Sequence, residues 1–181
     1  DDGVQHTHPD LASHYAASLS HDYNEGDSDP SPGLGNFHGT SCAGVMGASA
    51  NNTHCGTGVA PAATLIGVRL IAAATTDVQE AIGLSHRTDL IDVYSNSWGP
   101  RDDGMNLAGP GRVTLEAFAA NAQPGRGGKG NIYVWASGNG RHLGDSCAYD
   151  GYASSPYTIA VGAVDYENIQ SYYSEGCSAL M

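Results

Sequence analysis

The sequence predicts an α/β protein in which a mostly parallel sheet carries helices on both faces. Short β-rich runs alternate with helical segments, and connections of this order bring successive strands into parallel pairs. Hydrophobic residues make up 40% of the 181 residues and charged residues only 14%, which excludes a disordered chain. The 25 glycines predict many tight turns. We expect one domain, with ligands bound beyond the carboxyl ends of its strands.

The individual elements follow from local patterns. Small apolar residues at 39–50 predict a buried helix that packs closely against a sheet. Further helical segments are predicted at 76–86 and 112–123. Four β-rich runs, each bounded by Gly, Asp, Asn or Ser, predict strands at 65–70, 91–95, 132–136 and 158–164.

The charge balance restricts the possible partners. Seven Lys and Arg residues stand against 19 Asp and Glu residues, a net charge of −12. Such a chain repels phosphate backbones, so we expect no nucleic-acid partner. A negative surface favours cationic ligands such as metal ions or basic peptides. The alternative is that the charge only keeps the protein soluble. A nucleotide-binding fold is excluded because the glycine-rich segment 125–130 precedes a strand instead of following one.

The four cysteines and an acidic loop leave alternatives open. Cys42, Cys55, Cys147 and Cys177 lack the paired short spacing of a zinc site, so they form one or two disulfides or remain thiols. The segment 22–29 contains four carboxylates. It is either a solvated loop or a site for a cation such as Ca²⁺ that prefers oxygen ligands.

Three residue types typical of acyl-transfer catalysis occur at turns and at a helix start. Asp1 begins the chain, His38 opens the small-residue helix, and Asn139 lies in the glycine-bracketed turn 137–140. A carboxylate can orient an imidazole, the imidazole can take a proton from a nucleophile, and an amide can donate to an oxyanion. Each residue taken singly has a structural explanation, but together they indicate hydrolysis.

Seven segments then carry a family resemblance. They are DDG at 1–3, HPDL at 8–11, HGTSCAG at 38–44, SWGPRDDG at 97–104, GRGGKGNIYVWASGNG at 125–140, DSCAYDGY at 145–152 and YSEGCS at 173–178. In this order they resemble the catalytic domain of subtilisin-like serine proteases, and within them the kexin/furin group of proprotein convertases. The resemblance implies a subtilisin-like three-layer α/β/α fold with a mostly parallel central sheet. It makes residues 1–181 a partial catalytic domain without the first strand and the nucleophilic serine.

The resemblance also implies catalytic roles. Asp1 matches the triad aspartate, His38 the general base and Asn139 the oxyanion donor. The nucleophilic serine is expected beyond this chain, since Ser41 and Cys42 belong to the histidine motif. The 181 residues alone are therefore expected to be inactive.

Substrate binding is implied at a second set of positions: Asp2, Glu80, Ser97, Trp98, Gly99, Asp102 and Asp150. Asp102 and Asp150 match the pocket that takes an Arg side chain, and Asp2 matches an acid facing the next basic residue. Arg101 stands where relatives carry an acid and is expected to compete for the pocket carboxylates. Cleavage after Arg or Lys, often at paired basic residues, is implied.

Calcium is the cofactor implied, at three places. The first would use Asp22, Asp27 and Asp29, and the second Asp102, Asp145 and Glu175. The third would use Asp10 and Asn52. By the same resemblance Cys147 and Cys177 form a disulfide, Cys55 pairs with a cysteine beyond this chain, and Cys42 stays free.

Two functions are thus expected from the sequence. The first is a calcium-dependent serine endopeptidase of the secretory pathway or extracellular space, acting on basic peptides or proproteins. An inhibitory prodomain and a following β-domain would be its partners, and membrane anchoring stays open. The second is a non-catalytic, calcium-stabilised domain of the same fold that binds basic peptides. Intact Asp1, His38 and Asn139 favour the first.

Overall fold

A computed structural model describes residues 1–180, which form two compact units, Asp1–Gly83 and a second beginning at Leu84. The first unit contains a two-stranded parallel sheet of β1 (His21–Asp22) and β2 (Val68–Arg69). The second contains a three-stranded parallel sheet in the order β3-β4-β5. Its strands are Val93–Asn96, Ile132–Ala136 and Thr158–Val161.

The four predicted strands are present, and every pair of named strands is parallel, as the α/β prediction requires. β1 was not predicted, because its two residues carry no alternating pattern. Strand β5 ends earlier than predicted. Just beyond it, Val164 pairs with Gln170 in an isolated antiparallel bridge, so the chain has turned back on itself.

The helices are α1 (His38–Gly47), α2 (Asp77–Leu84), α3 (Arg112–Asn121) and the single turn α4 (Gly125–Gly128). The first three confirm the predicted helices. All three end before the predicted last residue, and α1 begins one residue earlier than predicted. In α4 both Arg126 and Gly127 have left-handed backbone angles, so this segment is a tight turn rather than a regular helix. No helix within residues 1–180 has the length and apolar character needed to cross a bilayer.

Helix α1 packs closely because its inner face is made of small residues. Gly39, Ala43 and Gly47 are buried and lie four residues apart, so they share one face of the helix. A Cβ atom at Gly47 would lie 2.9 Å from Leu65 Cδ2. The predicted close contact of this helix is confirmed, and it sets the position of His38 at the helix start.

The core of the second unit is aromatic. Phe118 and Trp135 are fully buried, and Trp135 stacks on Tyr152 with 4.8 Å between ring centroids. Tyr94 and Tyr133 stack on each other in the same cluster. Side chains of this size bury a large apolar area. They hold the carboxyl ends of β3 and β4, from which the predicted substrate-binding and oxyanion segments extend.

Candidate active site

Asp1 and His38 form a hydrogen-bonded pair in the first unit. The Asp1 carboxylate oxygens lie 3.1 Å and 3.0 Å from His38 Nδ1. Because a carboxylate can only accept a hydrogen bond, Nδ1 carries the ring proton and Nε2 is left as the basic nitrogen. The His38 side chain is 55% exposed and the Asp1 side chain 12%. A held imidazole with its basic nitrogen available is the arrangement that a general base requires.

Asp2 stabilises the start of helix α1. Its Oδ1 accepts the N–H of Gly39 at 2.7 Å and its Oδ2 accepts the N–H of His38 at 3.2 Å. The first N–H groups of a helix have no partner inside the helix, and a carboxylate there also interacts favourably with the helix dipole. Asp2, predicted as a substrate contact, therefore has a structural role that its place in the sequence did not reveal.

Two possible nucleophiles lie in the first turns of α1. Ser41 Oγ donates to the Phe37 carbonyl at 3.1 Å. Cys42 is free and half-buried, and its Sγ lies 3.9 Å from His38 Nδ1, the nitrogen that faces Asp1. Neither side chain is placed against His38 Nε2 by any contact in the described chain. Cys55 is also free here, and its pairing with a cysteine beyond this chain stays a prediction.

The acidic loop is organised by Arg69, a residue for which the sequence predicted no role. Asp22 is buried; its Oδ1 accepts the N–H groups of Asn24 and Glu25, and its Oδ2 pairs with the buried Arg69 guanidinium. Asp27 and Asp29 instead bind amides of their own turn, at Asp29 and Ser31 respectively. The three carboxylates predicted to share a calcium ion are not among the described groups whose ligand atoms converge within 4.8 Å.

Two other predicted positions lie in the first unit. Asp10 is buried and accepts a hydrogen bond from Asn52 Nδ2 at 2.6 Å, so the structure brings this predicted pair together. Glu80, on α2, accepts a hydrogen bond from Thr75 Oγ1 at 3.0 Å and is half-buried.

In the second unit, the segment after β3 passes beside the half-buried carboxylate of Asp150. Asp150 Oδ1 accepts the N–H groups of Tyr152 and Ala153, while its Oδ2 would lie 2.9 Å from a Cβ at Gly99. Burial, reinforced by repulsion from Asp102 and Asp145, raises the pKa of Asp150 to about 6. No Lys or Arg among residues 1–180 forms an ion pair with it. This carboxylate is therefore suited to an external cation.

The aromatic core of the second unit packs against the segment that lies beside Asp150. The Trp98 carbonyl accepts a hydrogen bond from Trp135 Nε1 at 2.6 Å, and the Trp98 ring packs edge-on against Trp135 and Tyr152. Of the predicted substrate-binding residues, Trp98 is thus held against the aromatic core, Gly99 lies beside Asp150, and Ser97 is half-buried directly after β3. Arg101 does not compete for the pocket as expected, because it is 84% exposed and pairs with Asp103.

Asn139 lies exposed on the turn after β4. Its backbone N–H donates to Asp102 Oδ2 at 2.7 Å, and the N–H of Gly140 donates to Glu175 Oε1 at 2.8 Å. Gly138 has φ +102°, and a Cβ there would collide with the Glu175 carboxylate. Two carboxylates therefore hold the backbone of the turn and leave the Asn139 side chain available to donate.

Asp102, Asp145 and Glu175 form a carboxylate cluster whose ligand oxygens lie within 4.8 Å of one another. Glu175 is only 2% exposed, and burial followed by repulsion from the neighbouring acids raises its pKa to about 7. Three converging acids without a Lys or Arg partner in the described chain repel one another unless a cation joins them. Since the donors are all oxygen, the cluster could hold Ca²⁺.

The predicted disulfide between Cys147 and Cys177 is present, with 5.4 Å between the Cα atoms. Each cysteine lies two residues beyond a member of the carboxylate cluster, Asp145 or Glu175. Ser146 Oγ joins the same two segments by donating to the Gly176 carbonyl at 2.9 Å. The covalent bond and the hydrogen bond therefore keep two of the three acids together.

The fold and the site now define the class of protein. The sequence profile of the subtilase family matches residues 1–180, and the chain belongs to that family. It is 50% identical to endoprotease bli-4 of Caenorhabditis elegans over 98% of this chain and 19% of that protein. It is 46% identical over its whole length to human proprotein convertase subtilisin/kexin type 6 (19% of that protein) and to bovine neuroendocrine convertase 2 (29%). The chain thus spans less than a third of these curated relatives.

Solved structures agree on the fold. The serine protease of Aeromonas sobria superposes with a TM-score of 0.83 at 23% identity, covering 99% of this chain and 34% of that one. A cold-adapted subtilisin-like serine proteinase gives 0.73 at 21% identity, covering 99% of this chain and 58% of that one. The predicted subtilisin-like α/β fold is confirmed.

Proposed function

We propose that this chain is the part of a calcium-dependent serine endopeptidase that carries the general base, the oxyanion donor and the pocket for a basic side chain. The enzyme would cleave proproteins after Arg or Lys, often at paired basic residues, in the secretory pathway or outside the cell. The Asp1–His38 pair carries the proposal, because it has the hydrogen bond and the exposed ring that a general base needs. The proprotein convertase relatives support this substrate class.

In this mechanism His38 Nε2 takes the proton of a serine hydroxyl supplied by a segment beyond this chain. Asp1 stabilises the imidazolium that forms and keeps the Nδ1 proton in place. The Asn139 side-chain amide donates to the oxyanion of the tetrahedral intermediate, an interaction typically worth about 3–4 kcal/mol. His38 then returns its proton to the leaving amine.

Asp150 would select the substrate. Its carboxylate is half-buried, has no cationic partner in the described chain and lies beside Gly99, where any side chain of the protein itself would collide with it. An Arg guanidinium suits such a site because it is a planar cation with several N–H donors. Asp2 and Glu80 would contribute negative charge toward further basic residues of the substrate.

Calcium, when bound by Asp102, Asp145 and Glu175, would supply the positive charge that joins these acids. Its effect on catalysis would come through the turn 138–140, whose amides bind Asp102 and Glu175. Asp10 with Asn52 would be a further calcium site. Calcium binding by Asp22, Asp27 and Asp29 would require the three carboxylates to converge and Asp22 to exchange its Arg69 partner for the ion. The prodomain and β-domain expected from the sequence would be partners of the whole protein.

The experiment uses the full-length protein that contains this chain and two fluorogenic peptides that differ only in Arg or Gln before the cleaved bond. We expect turnover of the Arg peptide with calcium, and its loss in His38→Ala. His54→Ala, at an exposed histidine outside the proposed machinery, is the matched control. Equal turnover by the wild-type protein and His38→Ala would contradict the mechanism.

The non-catalytic alternative predicts a different result in the same experiment. The full-length protein would bind the Arg peptide in a calcium-dependent manner but release it intact. Binding measured by fluorescence anisotropy, together with mass spectrometry of the peptide, separates the two functions.

A further inference from the structure

We infer that Asn139 is a site of spontaneous deamidation and that the Glu175 carboxylate keeps this reaction slow. Asn139 is the only asparagine of the chain that is followed by glycine. In an Asn-Gly pair no Cβ on the second residue shields its backbone nitrogen, so that nitrogen can reach the side-chain amide. The effect of the reaction on activity rests on the proposed function, whereas the modification itself does not.

The reaction needs only the chain and water. The Gly140 nitrogen gives up its proton and attacks Asn139 Cγ, the Cγ–Nδ2 bond breaks, and ammonia leaves. The product is a cyclic succinimide. Water then opens the ring, which gives aspartate when the new Cγ–N bond breaks and isoaspartate when the original backbone C–N bond breaks. Both products carry a carboxylate in place of the Asn139 amide.

The Asn139 side chain is open to this reaction. It is exposed, and no hydrogen bond in the described chain holds its amide group. The backbone N–H of Asn139 is bound by Asp102, but this contact leaves the side chain free to turn. Protection must therefore act on the attacking nitrogen.

The Gly140 nitrogen is the protected partner. Gly140 is buried, and its N–H donates to Glu175 Oε1 at 2.8 Å. The Gly140 carbonyl is fixed as well, because it accepts the N–H groups of Leu143 at 2.7 Å and Asp145 at 3.1 Å. Attack on the neighbouring side chain requires the N–H to leave Glu175, and an adjacent carboxylate opposes the loss of the amide proton.

Glu175 holds the turn at a second point. Its own backbone N–H donates to the Gly138 carbonyl at 3.3 Å, so one residue is bonded on both sides of Asn139. Glu175 is only 2% exposed, which keeps water from competing for the Gly140 N–H. Deamidation then needs a local opening of the turn, and its rate follows the population of the open state.

Deamidation would abolish the proposed role of Asn139. An ionised carboxylate can only accept hydrogen bonds, so it cannot donate to the oxyanion. Its charge would repel the oxyanion, and in isoaspartate the main chain is also longer by one carbon. The turn thus combines the proposed catalytic amide with a modification that inactivates it irreversibly.

The test measures the modification in the full-length protein carrying His38→Ala, which prevents self-cleavage during long incubation. Mass spectrometry of the peptide containing Asn139 quantifies the product. Glu175→Ala in this parent should deamidate about tenfold faster or more, because the hydrogen bond to a charged acceptor is lost. The matched control is Asp145→Ala, which removes another acid of the same cluster but leaves the hydrogen bond between Gly140 and Glu175. It should deamidate at the rate of the parent.

Two conditions keep this comparison clean. All samples contain a chelator, so that calcium binding does not differ between the variants. Near-UV circular dichroism shows whether each variant is folded. Equal rates in folded Glu175→Ala and Asp145→Ala would overturn the inference.

A second comparison does not require Glu175→Ala to fold. The parent should deamidate at Asn139 about tenfold more slowly, or slower still, when folded than when unfolded by guanidinium chloride. Equal rates in the two states would also overturn the inference. In the protein with His38 intact, loss of turnover of the Arg peptide should match the deamidated fraction. Protected deamidation in a protein that cleaves no peptide would refute the proposed function and leave the modification site standing.

Discussion

The carboxylate of Asp102 accepts the backbone N–H of Asn139 at 2.7 Å. The next amide, that of Gly140, is bound in the same manner by Glu175. The residue proposed as oxyanion donor is therefore held by two members of the carboxylate cluster. Charge at the cluster and geometry at the oxyanion turn are physically linked, and the first prediction depends on this link.

Removing calcium from the full-length protein should lower kcat more than it raises KM. Without the ion, repulsion among Asp102, Asp145 and Glu175 would disturb the turn that carries Asn139, and the proposed oxyanion donor would act mainly in the transition state. Asp145→Asn should reproduce the effect at moderate calcium. Steady-state measurements of kcat and KM at a series of free calcium concentrations test this prediction. A change confined to KM would contradict the link.

The stabilising effect of calcium on the melting temperature should depend on pH. Burial, followed by repulsion from the neighbouring acids, raises the pKa of Glu175 from 4.5 to about 7. The folded state therefore binds more protons than the unfolded state, and the metal-free protein loses stability as pH rises from about 4.5 to 7. Calcium binding should offset this loss of stability. The increase in melting temperature on adding calcium should therefore be larger at pH 8 than at pH 5.5. Calorimetry at each pH, once with calcium and once with a chelator, measures the melting temperatures that are compared.

Asp150→Asn should lower the selectivity for Arg substrates and raise the stability of the protein. The charge that we propose pairs with Arg is lost, and we expect kcat/KM on the Arg peptide to fall about 100-fold or more. An amide oxygen can still accept the Tyr152 N–H, and the cost of an ionised buried carboxylate disappears. The melting temperature above pH 6 should therefore rise.

In the wild-type enzyme, cleavage after Arg should also weaken as pH falls through about 6, where Asp150 becomes neutral. A full pH profile of kcat/KM for the wild-type protein and Asp150→Asn checks both expectations. An unchanged preference for Arg over Gln in the variant would show that another group forms the pocket.

Asp2→Ala should destabilise the first unit by about 1–2 kcal/mol, because the amides of His38 and Gly39 lose their acceptor. Asp2→Asn keeps one acceptor oxygen and should recover part of that loss. Chemical denaturation of both variants measures the effect. If Asp2 also contacts substrate, both variants should raise KM for peptides with paired basic residues. Unaltered stability in Asp2→Ala would contradict the capping role.

Replacing both Cys147 and Cys177 by Ala should lower the free energy of unfolding by about 3–4 kcal/mol, given the 30-residue separation of the bridged positions. The same change should weaken calcium binding, since Asp145 and Glu175 lie two residues before the cysteines. Isothermal titration with calcium at a temperature where the variant is folded separates the two effects. Unchanged calcium affinity would show that Ser146 and the backbone alone keep the acids together.

Local patterns in the sequence were sufficient for much of the fold. The small residues at 39–50 and the β-rich runs predicted α1 and β2–β5, because periodicity and turn residues act over short distances. The residue types of Asp1 and His38 indicated a carboxylate–imidazole pair, and the resemblance to the subtilases assigned their roles. The disulfide between Cys147 and Cys177 was expected only from that resemblance.

The sequence by itself determined the residue types, the parallel α/β architecture and the family to which the chain belongs. The tertiary structure decided which carboxylates converge. Asp22 is bound to Arg69, 47 residues away, and Asp2 stabilises the start of a helix that begins at His38. Glu175 completes the cluster with Asp102 and Asp145. Such contacts depend on the path of the backbone between distant segments. Burial where those segments meet, rather than local spacing, raises the pKa of Glu175.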